Sequence, residues 1–248
     1  MKGRILIGSR GSRLAEIQAG SVLNRLKQIY SDIEFDLLRI KTRGDEQGKI
    51  PIDKIDARGV FVKEIQEALL SGRIDIAVHS LKDMPVHSTE GLCLAAVTER
   101  LDPRDVFISK GKKLLELPAD SVIGTGSPRR VAQLLDYRSD LKVVTIRGNV
   151  DTRLKKVSKG EIDGTIIAAA GIIRLGLEGS ITEYLPVDHF LPQAAQGVLG
   201  IETRANDSEM LEIVRPLHHQ QTWQSILAER AFLEAMGGGC SSAVACLY

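Results

Sequence analysis

The chain has 248 residues, 43% of them hydrophobic, enough to bury one large core or two modest ones. Its 33 Lys and Arg balance 32 Asp and Glu, so a net charge of +1 excludes a general pull on nucleic acid or an anionic membrane. With only 4% aromatic residues there is little for base stacking, and the longest uncharged apolar run, 164–173, is too short to span a bilayer.

In chain order, "RILIG" (4–8) predicts a strand and leads into helical periodicity over 13–29. A second strand is expected at 35–40. The next stretch, Lys41 to Gly59, is charged and aperiodic and reads as a loop, a candidate lid. A helix over 60–71 precedes strands at 74–80, 92–97, 105–109 and 121–125. Helix 128–137, strand 142–148, helix 150–158 and strand 164–170 follow. The chain closes with a strand at 197–202 and helices at 207–214 and 222–236. This alternation is α/β, and the almost wholly apolar strands suit a largely parallel sheet covered by helices on both faces.

Polar residues recur where strands end. In open α/β sheets a ligand lies beyond the carboxyl ends of the strands, and here "SRGSR", "LKDMP", "GSPRR", "NVDTR" and "GIIR" occupy those turns. In "GSPRR", Ser127 suits an N-cap and Pro128 the first helical position, which puts Arg129 and Arg130 in the first turn. Cations there oppose the helix dipole. They form either a solvated basic turn or, with the free N–H groups, an anion site. Arg147 and Arg153 flank the cap candidate Asn149, and Arg10 and Ser12 flank a glycine. A planar guanidinium matches carboxylate or phosphate bidentately, so the expected ligand carries several such groups. No Walker P-loop or GxGxxG follows a strand, which disfavours a nucleotide. Among these cations Asp83, beside Lys82, is either a salt-bridge partner or the one group able to move a proton or stabilise a developing cation.

Cysteines occur at 93, 240 and 246, an odd number without the spacing of a zinc site or a disulfide framework. Cys240 stands behind three glycines, of which Gly237 suits the left-handed closure of the preceding helix. The thiol itself is either an inert apolar group or a reactive one. The helix end points its negative dipole toward it, so activation has to come from elsewhere.

The segments "GSRGSRLAEIQ", "TRGD", "GVFVKEIQEALL", "IDIAVHSLKDMP", "GTGSPRR", "IRGNVDTRL", "AAAGIIRLGL", "AAQGVLGIE" and "AERAFLEAMGGGC" run from near the start to Cys240. In order and spacing this series resembles the porphobilinogen deaminase (hydroxymethylbilane synthase) family. The resemblance implies a transferase of tetrapyrrole (heme) biosynthesis that joins four porphobilinogen molecules head to tail, releasing ammonia each time. It implies a dipyrromethane cofactor held to Cys240 through a thioether, and no metal. By resemblance Asp83 is catalytic and also contacts the cofactor. Lys82, Ser127, Arg129 and Arg130 hold that cofactor, while Arg10, Ser12, Gln18, Arg147, Arg153, Arg174 and Gln196 line the path of porphobilinogen and the growing polypyrrole.

The implied fold is α/β, with two hinged doubly wound domains resembling type II periplasmic binding proteins plus a truncated small C-terminal α/β domain. Domain 1 would be 1–97 with 198–216, domain 2 would be 103–192, and 217–248 would be the remnant of a third domain carrying the cysteine. Two departures stand out: the chain continues past Cys240 only as "SSAVACLY", and the lysine common in the family's loop is Arg58. The residues after Cys240 are expected to find little to pack against. A cytoplasmic monomer with no nucleic-acid or membrane partner is expected. The rival reading is a non-catalytic anion-binding protein of the same hinged architecture.

Overall fold

A computed structural model of the chain describes residues 3–42, 62–238 and 243–248. The expected loop over 41–59, beyond Lys41 and Thr42, lies outside the described residues, and so does Cys240.

The described strands form two five-stranded sheets. The first contains β1 (Arg4–Arg10), β2 (Glu34–Ile40), β3 (Ile76–Ser80), β4 (Leu92–Val97) and β10 (Leu199–Arg204), in the order β2-β1-β3-β10-β4. The second contains β5 (Asp105–Ser109), β6 (Val122–Gly124), β7 (Lys142–Val144), β8 (Gly164–Ala168) and β9 (Glu183–Tyr184), in the order β7-β6-β8-β5-β9. Helices are α1 (Arg13–Ile29), α2 (Lys63–Leu70), α3 (Pro128–Tyr137), α4 (Val150–Lys159), α5 (Ala169–Arg174), α6 (Ser208–Val214) and α7 (Gln220–Ala235).

Local chemistry explains the helix starts. The Ser12 hydroxyl accepts from Ala15 N at 3.3 Å, Ser127 accepts from Arg130 N at 3.5 Å, and Asn149 accepts from Thr152 N at 3.1 Å. Apolar spacing explains the packing. Ala19, Val22 and Leu26 of α1 meet Ile5, Ile7, Phe35 and Ile76 of the first sheet, with Met210 and Ile213 of α6 in the same core. On the opposite face, Ile65 and Leu69 of α2 pack with Ile40 and Ile74. The second sheet is likewise covered twice: by Leu134, Leu141 and Phe190 against Phe107 and Ile123, and by Ile172 against Val106 and Ile167.

Three expectations need correction. The sheets are mixed rather than largely parallel, because β10 is antiparallel to β3 and β4 and β5 is antiparallel to β8 and β9. Both β5 and β10 follow segments where the chain crosses between the sheets. A strand that starts at the crossing must run against strands that end there. The predicted strand 164–170 stops at Ala168, and its apolar continuation is α5, since an uninterrupted apolar run has no period to separate strand from helix. The strand expected over 142–148 is laddered only to Val144.

The two crossing segments are bound to each other, with Thr98 N donating to Leu199 O and Leu101 N to Gly197 O, each at 3.1 Å. Helix α7 lies against both. His219 N donates to Val97 O at 2.8 Å, and Arg100 pairs with the buried Glu229 at 2.7 Å. The second Glu229 oxygen accepts from Ala195 N at 2.7 Å, which holds Ala195 at φ 64, unusual for a residue with a side chain. The terminal residues do not hang free. Cys246 N donates to Pro192 O at 3.1 Å and Tyr248 N to Glu229 Oε1 at 3.1 Å, so residues expected to find little to pack against close over this junction. Among the described residues no helix is long and apolar enough to cross a membrane.

Gly197 sits at φ 92, and a Cβ there would run into the Leu101 carbonyl oxygen. Gly197→Ala is therefore expected to destabilise the protein by more than about 2 kcal/mol, through backbone strain and overpacking together. Denaturant melts with an unchanged midpoint would refute this.

Candidate active site

The site is assembled at the strand ends that face the crossing. β3 delivers its end, Ser80, into a tight turn over Leu81–Asp83, which is fixed by Leu81 N donating to Val198 O at 3.0 Å and Met84 N to Leu81 O at 3.1 Å. Leu81 and Met84 are buried, so Lys82 and Asp83 are the residues of this turn that face the polar side, both half-buried.

From Lys82 a continuous polar chain runs to the second sheet. Lys82 Nζ donates to Gln196 Oε1 at 3.2 Å, and Gln196 Nε2 donates to Asp105 Oδ1 at 2.8 Å and to Pro103 O at 2.7 Å. Asp105, the first residue of β5, is fully buried. Arg130 grips it bidentately, Nε to Oδ2 at 3.0 Å and Nη2 to Oδ1 at 2.7 Å, while Arg129 Nη2 donates to Oδ2 at 2.8 Å. Burial by itself would raise the Asp105 carboxyl, but Arg130 and Arg129 more than offset it and hold it far below the usual carboxylate range. Burial lowers Arg129 despite its partner, yet a guanidinium keeps its proton. Lys82 is pushed down to about 8, first by burial and then by Arg130, against the opposing pull of Asp83 and Asp105.

This arrangement differs from the expected first-turn anion site. Arg129 and Arg130 are buried and share Asp105, a residue that sequence reasoning treated only as the start of a strand. The available signal was an acid opening an otherwise apolar strand, "DVFIS". Gln196, expected to line the substrate path, is fully buried and spends its amide on Lys82, Pro103 and Asp105. Its hydrogen bonds join the two sheets. A surplus of positive charge nevertheless remains, because one carboxylate is shared by two arginines with Lys82 beside them. Arg129 Nε, buried, has no hydrogen-bond partner among the described residues, a donor left over in a cationic cluster. A ligand bearing several carboxylates, such as a dipyrromethane, fits that surplus.

The remaining predicted residues surround this centre. Arg153 donates from Nε to Gly148 O at 2.9 Å and is pushed down to about 10, by burial first and Arg130 second, which places its charge near the cluster. Arg174 donates to Gly197 O at 2.8 Å and is lowered by burial to about 10. Gln18 is buried and exchanges hydrogen bonds with Ser80, at 2.9 and 3.2 Å, so it braces the end of β3. The hydroxyls of Ser12 and Ser127 serve as helix caps. Arg13 reaches Asp151 at 3.3 Å, bringing the start of α1 to the start of α4, and with them the turn of Arg10 and Ser12 to that of Arg147 and Arg153. Asp83 is the exception. Among the described residues its carboxylate has no hydrogen-bond or ion-pair partner, although cations crowd the cluster beside it. Gly237, at φ 63, closes α7 as expected, three residues before Cys240.

Residues 5–212 match the family model described as "Porphobilinogen deaminase, dipyromethane cofactor binding domain". A porphobilinogen deaminase of Alkaliphilus metalliredigens is 48% identical over 237 residues, 95% of this chain and 75% of that protein. One of Clostridioides difficile is 50% identical over 238 residues, 95% of this chain and 79% of that protein. Among solved structures, the methionine binding protein MetQ superimposes with a TM-score of 0.55 at 16% identity, covering 96% of each chain. A putative methionine-binding lipoprotein from Bacillus subtilis gives 0.52 at 15% identity, covering 88% of this chain and 92% of that one. These structural likenesses establish the fold class, paired α/β domains of the type II periplasmic binding protein kind.

Asp105→Asn would leave two buried guanidiniums without an anion, an expected loss on the order of 3–5 kcal/mol at pH 7. Because the Asp105 carboxyl is depressed in the folded state, its stabilisation is complete above the unfolded value of about 4 and is lost as pH falls toward the folded one. The gap in melting temperature between wild type and Asp105→Asn should therefore narrow between pH 6 and pH 3; a constant gap would contradict the assignment.

Proposed function

We propose a function from a fixed premise: the chain belongs to the porphobilinogen deaminase family. On this reading it condenses four porphobilinogen molecules head to tail into the linear tetrapyrrole hydroxymethylbilane. In each condensation the aminomethyl C–N bond breaks, ammonia leaves, a C–C bond forms to the free α-carbon of the terminal pyrrole, and that carbon gives up its proton. A dipyrromethane cofactor, which would be joined to Cys240 through a thioether, would supply the first such α-carbon. The attachment rests on the motif "GGGC" and the family resemblance, since Cys240 lies outside both the described residues and the matched segment.

The observation that carries the reading is the Asp83 carboxylate, without a hydrogen-bond or ion-pair partner among the described residues, beside a cationic cluster. A group free of ion pairs is available to bond pyrrole N–H groups, to assist protonation of the leaving amine and to stabilise the cationic methylene-pyrrole formed when ammonia departs. Lys82, Arg129, Arg130 and the Ser127 turn would hold the cofactor's acetate and propionate groups. Arg10, Ser12, Arg147, Arg153 and Arg174 would bind those of the incoming substrate and the lengthening chain. Gln18 would act through Ser80 and Gln196 through Lys82, by keeping those groups in place.

Sheet membership supports the division into domain 1 (1–97 and 198–216) and domain 2 (103–192), since each range supplies the strands of one sheet. Residues 217–248 would begin a third unit, docked on the crossing through Arg100 and Glu229. A non-catalytic anion-binding protein accounts for the cations but gives Asp83 no task.

Two measurements test this reading. Asp83→Asn should lower turnover roughly 100- to 1000-fold, as expected when a charge-stabilising group is neutralised, with the fold intact by circular dichroism. Near-normal product formation would refute the assignment. In protein expressed with porphobilinogen available, intact mass should exceed the sequence mass by two linked pyrroles. Peptide mapping should place them on Cys240 and leave Cys93 and Cys246 unmodified. An unmodified thiol in well-folded protein would refute the cofactor attachment.

A further inference from the structure

The turn bearing Lys82 and Asp83 is held from outside as well as by its own backbone. Gln193 Nε2 donates to Lys82 O at 3.1 Å. Arg230 Nη2 donates to both Pro85 O and Val86 O, each at 2.5 Å. Beneath them Leu81 and Met84 pack in one cluster with Trp223 and Ile226 of α7. One turn beyond Arg230, Glu234 reaches His87 at 3.5 Å. Trp223, Ile226, Arg230 and Glu234 recur at intervals of three and four, so they share one face of α7, and along it they address residues 81–87 in order.

Arg230 is the member of this face that stability alone does not explain. It is partly buried, and among the described residues no carboxylate pairs with it. Desolvating a guanidinium merely to satisfy two carbonyls is costly, and a neutral amide would serve as donor. What the guanidinium adds is a rigid planar donor that fixes the chain path two and three residues beyond Asp83.

The geometry points to Arg230 as a positioning residue that holds the Asp83 turn in its productive place against α7, the helix whose continuation leads to Cys240. This inference rests on the catalytic reading of Asp83 given above. It makes α7 the part that places the reacting carboxylate as well as the part that leads to the cysteine.

The test compares wild type, Arg230→Gln and Arg230→Lys, each also in the Asp83→Asn background, for kcat, KM for porphobilinogen and adduct mass. Arg230→Gln should lose roughly 10- to 100-fold in kcat, the scale expected when a reacting group is misplaced, with KM and adduct mass unchanged. Arg230→Lys, which keeps the charge but loses the planar donor, should recover only part of that loss. In the Asp83→Asn background Arg230→Gln should cost nothing further, since there is no carboxylate left to place. Wild-type turnover in Arg230→Gln, or an equal loss in both backgrounds, overturns the inference. Amide exchange at Leu81 and Met84 gives a readout independent of activity, expected to be faster in Arg230→Gln than in wild type; unchanged exchange also overturns it. If Arg230→Gln fails to fold, Arg230→Lys provides the exchange comparison, with intermediate rates expected and wild-type rates counting against the clamp. A wild-type chain that consumes no porphobilinogen would overturn the catalytic reading instead, and exchange alone would then decide whether Arg230 holds the turn.

Discussion

The buried carboxylate of Asp105 is the point on which the site depends. Three cationic side chains, Lys82, Arg129 and Arg130, are gathered where two sheets meet, and like charges so close would force each other apart or give up protons. Asp105 answers two of them directly and the third through Gln196. Without that anion the first turn of α3 could not bury two guanidiniums, and the link from the β3 turn to the second sheet would have no far end. One negative charge is also too few to neutralise the cluster. The remainder is what would attract carboxylates, so the same residue both permits the cluster and leaves it cationic.

A second buried carboxylate does comparable work at the crossing. Glu229 on α7 binds Arg100 of one crossing segment and the Ala195 amide of the other, and the terminal residues close over it through Tyr248 N. Each of its oxygens is used, which is the condition under which a buried charge holds structure together. The two crossing segments are thereby fixed relative to α7. The positive φ of Ala195 and of Gly197 is tolerated there because neighbouring hydrogen bonds determine the path.

A third polar column underlies β3. Glu202 of β10 accepts from Gln66 of α2 at 2.9 Å and lies 3.1 Å from His79 Nε2, while Thr89 donates to Gln66 at 2.9 Å. All of these lie in or next to the core of the first sheet. They tie α2 and β10 to the strand residue just ahead of Ser80, so the Lys82–Asp83 turn grows out of a strand braced on both sides. Gln18 completes the brace from α1. The carboxylate proposed to do chemistry is thus an acid that no described residue engages, while Asp105, Glu202 and Glu229 are each committed to buried hydrogen bonds.

Much of this was legible along the chain. Ser127 and Asn149 marked helix starts that the structure reproduces, and the apolar spacing of α1 and α3 set their full extents. Repeated arginines at strand ends pointed toward a polyanion ligand, and the order of nine motifs identified the family. These features are local or serial, so neighbouring residues suffice to encode them. What lay beyond reach was pairing at a distance. Asp105 and Arg130 are 25 residues apart, and Gln196 and Asp105 are 91 apart, so no window of sequence shows that they share charge. The antiparallel direction of β5 and β10 depends on where the chain crosses between sheets, and the division between β8 and α5 depends on what surrounds a run with no period of its own. The sequence by itself determined the elements, the surplus of cations and the residues available for chemistry. Only the tertiary structure decided which cations are paired and which carboxylate has no partner among the described residues, because charge pairing and burial are properties of residues brought together through space.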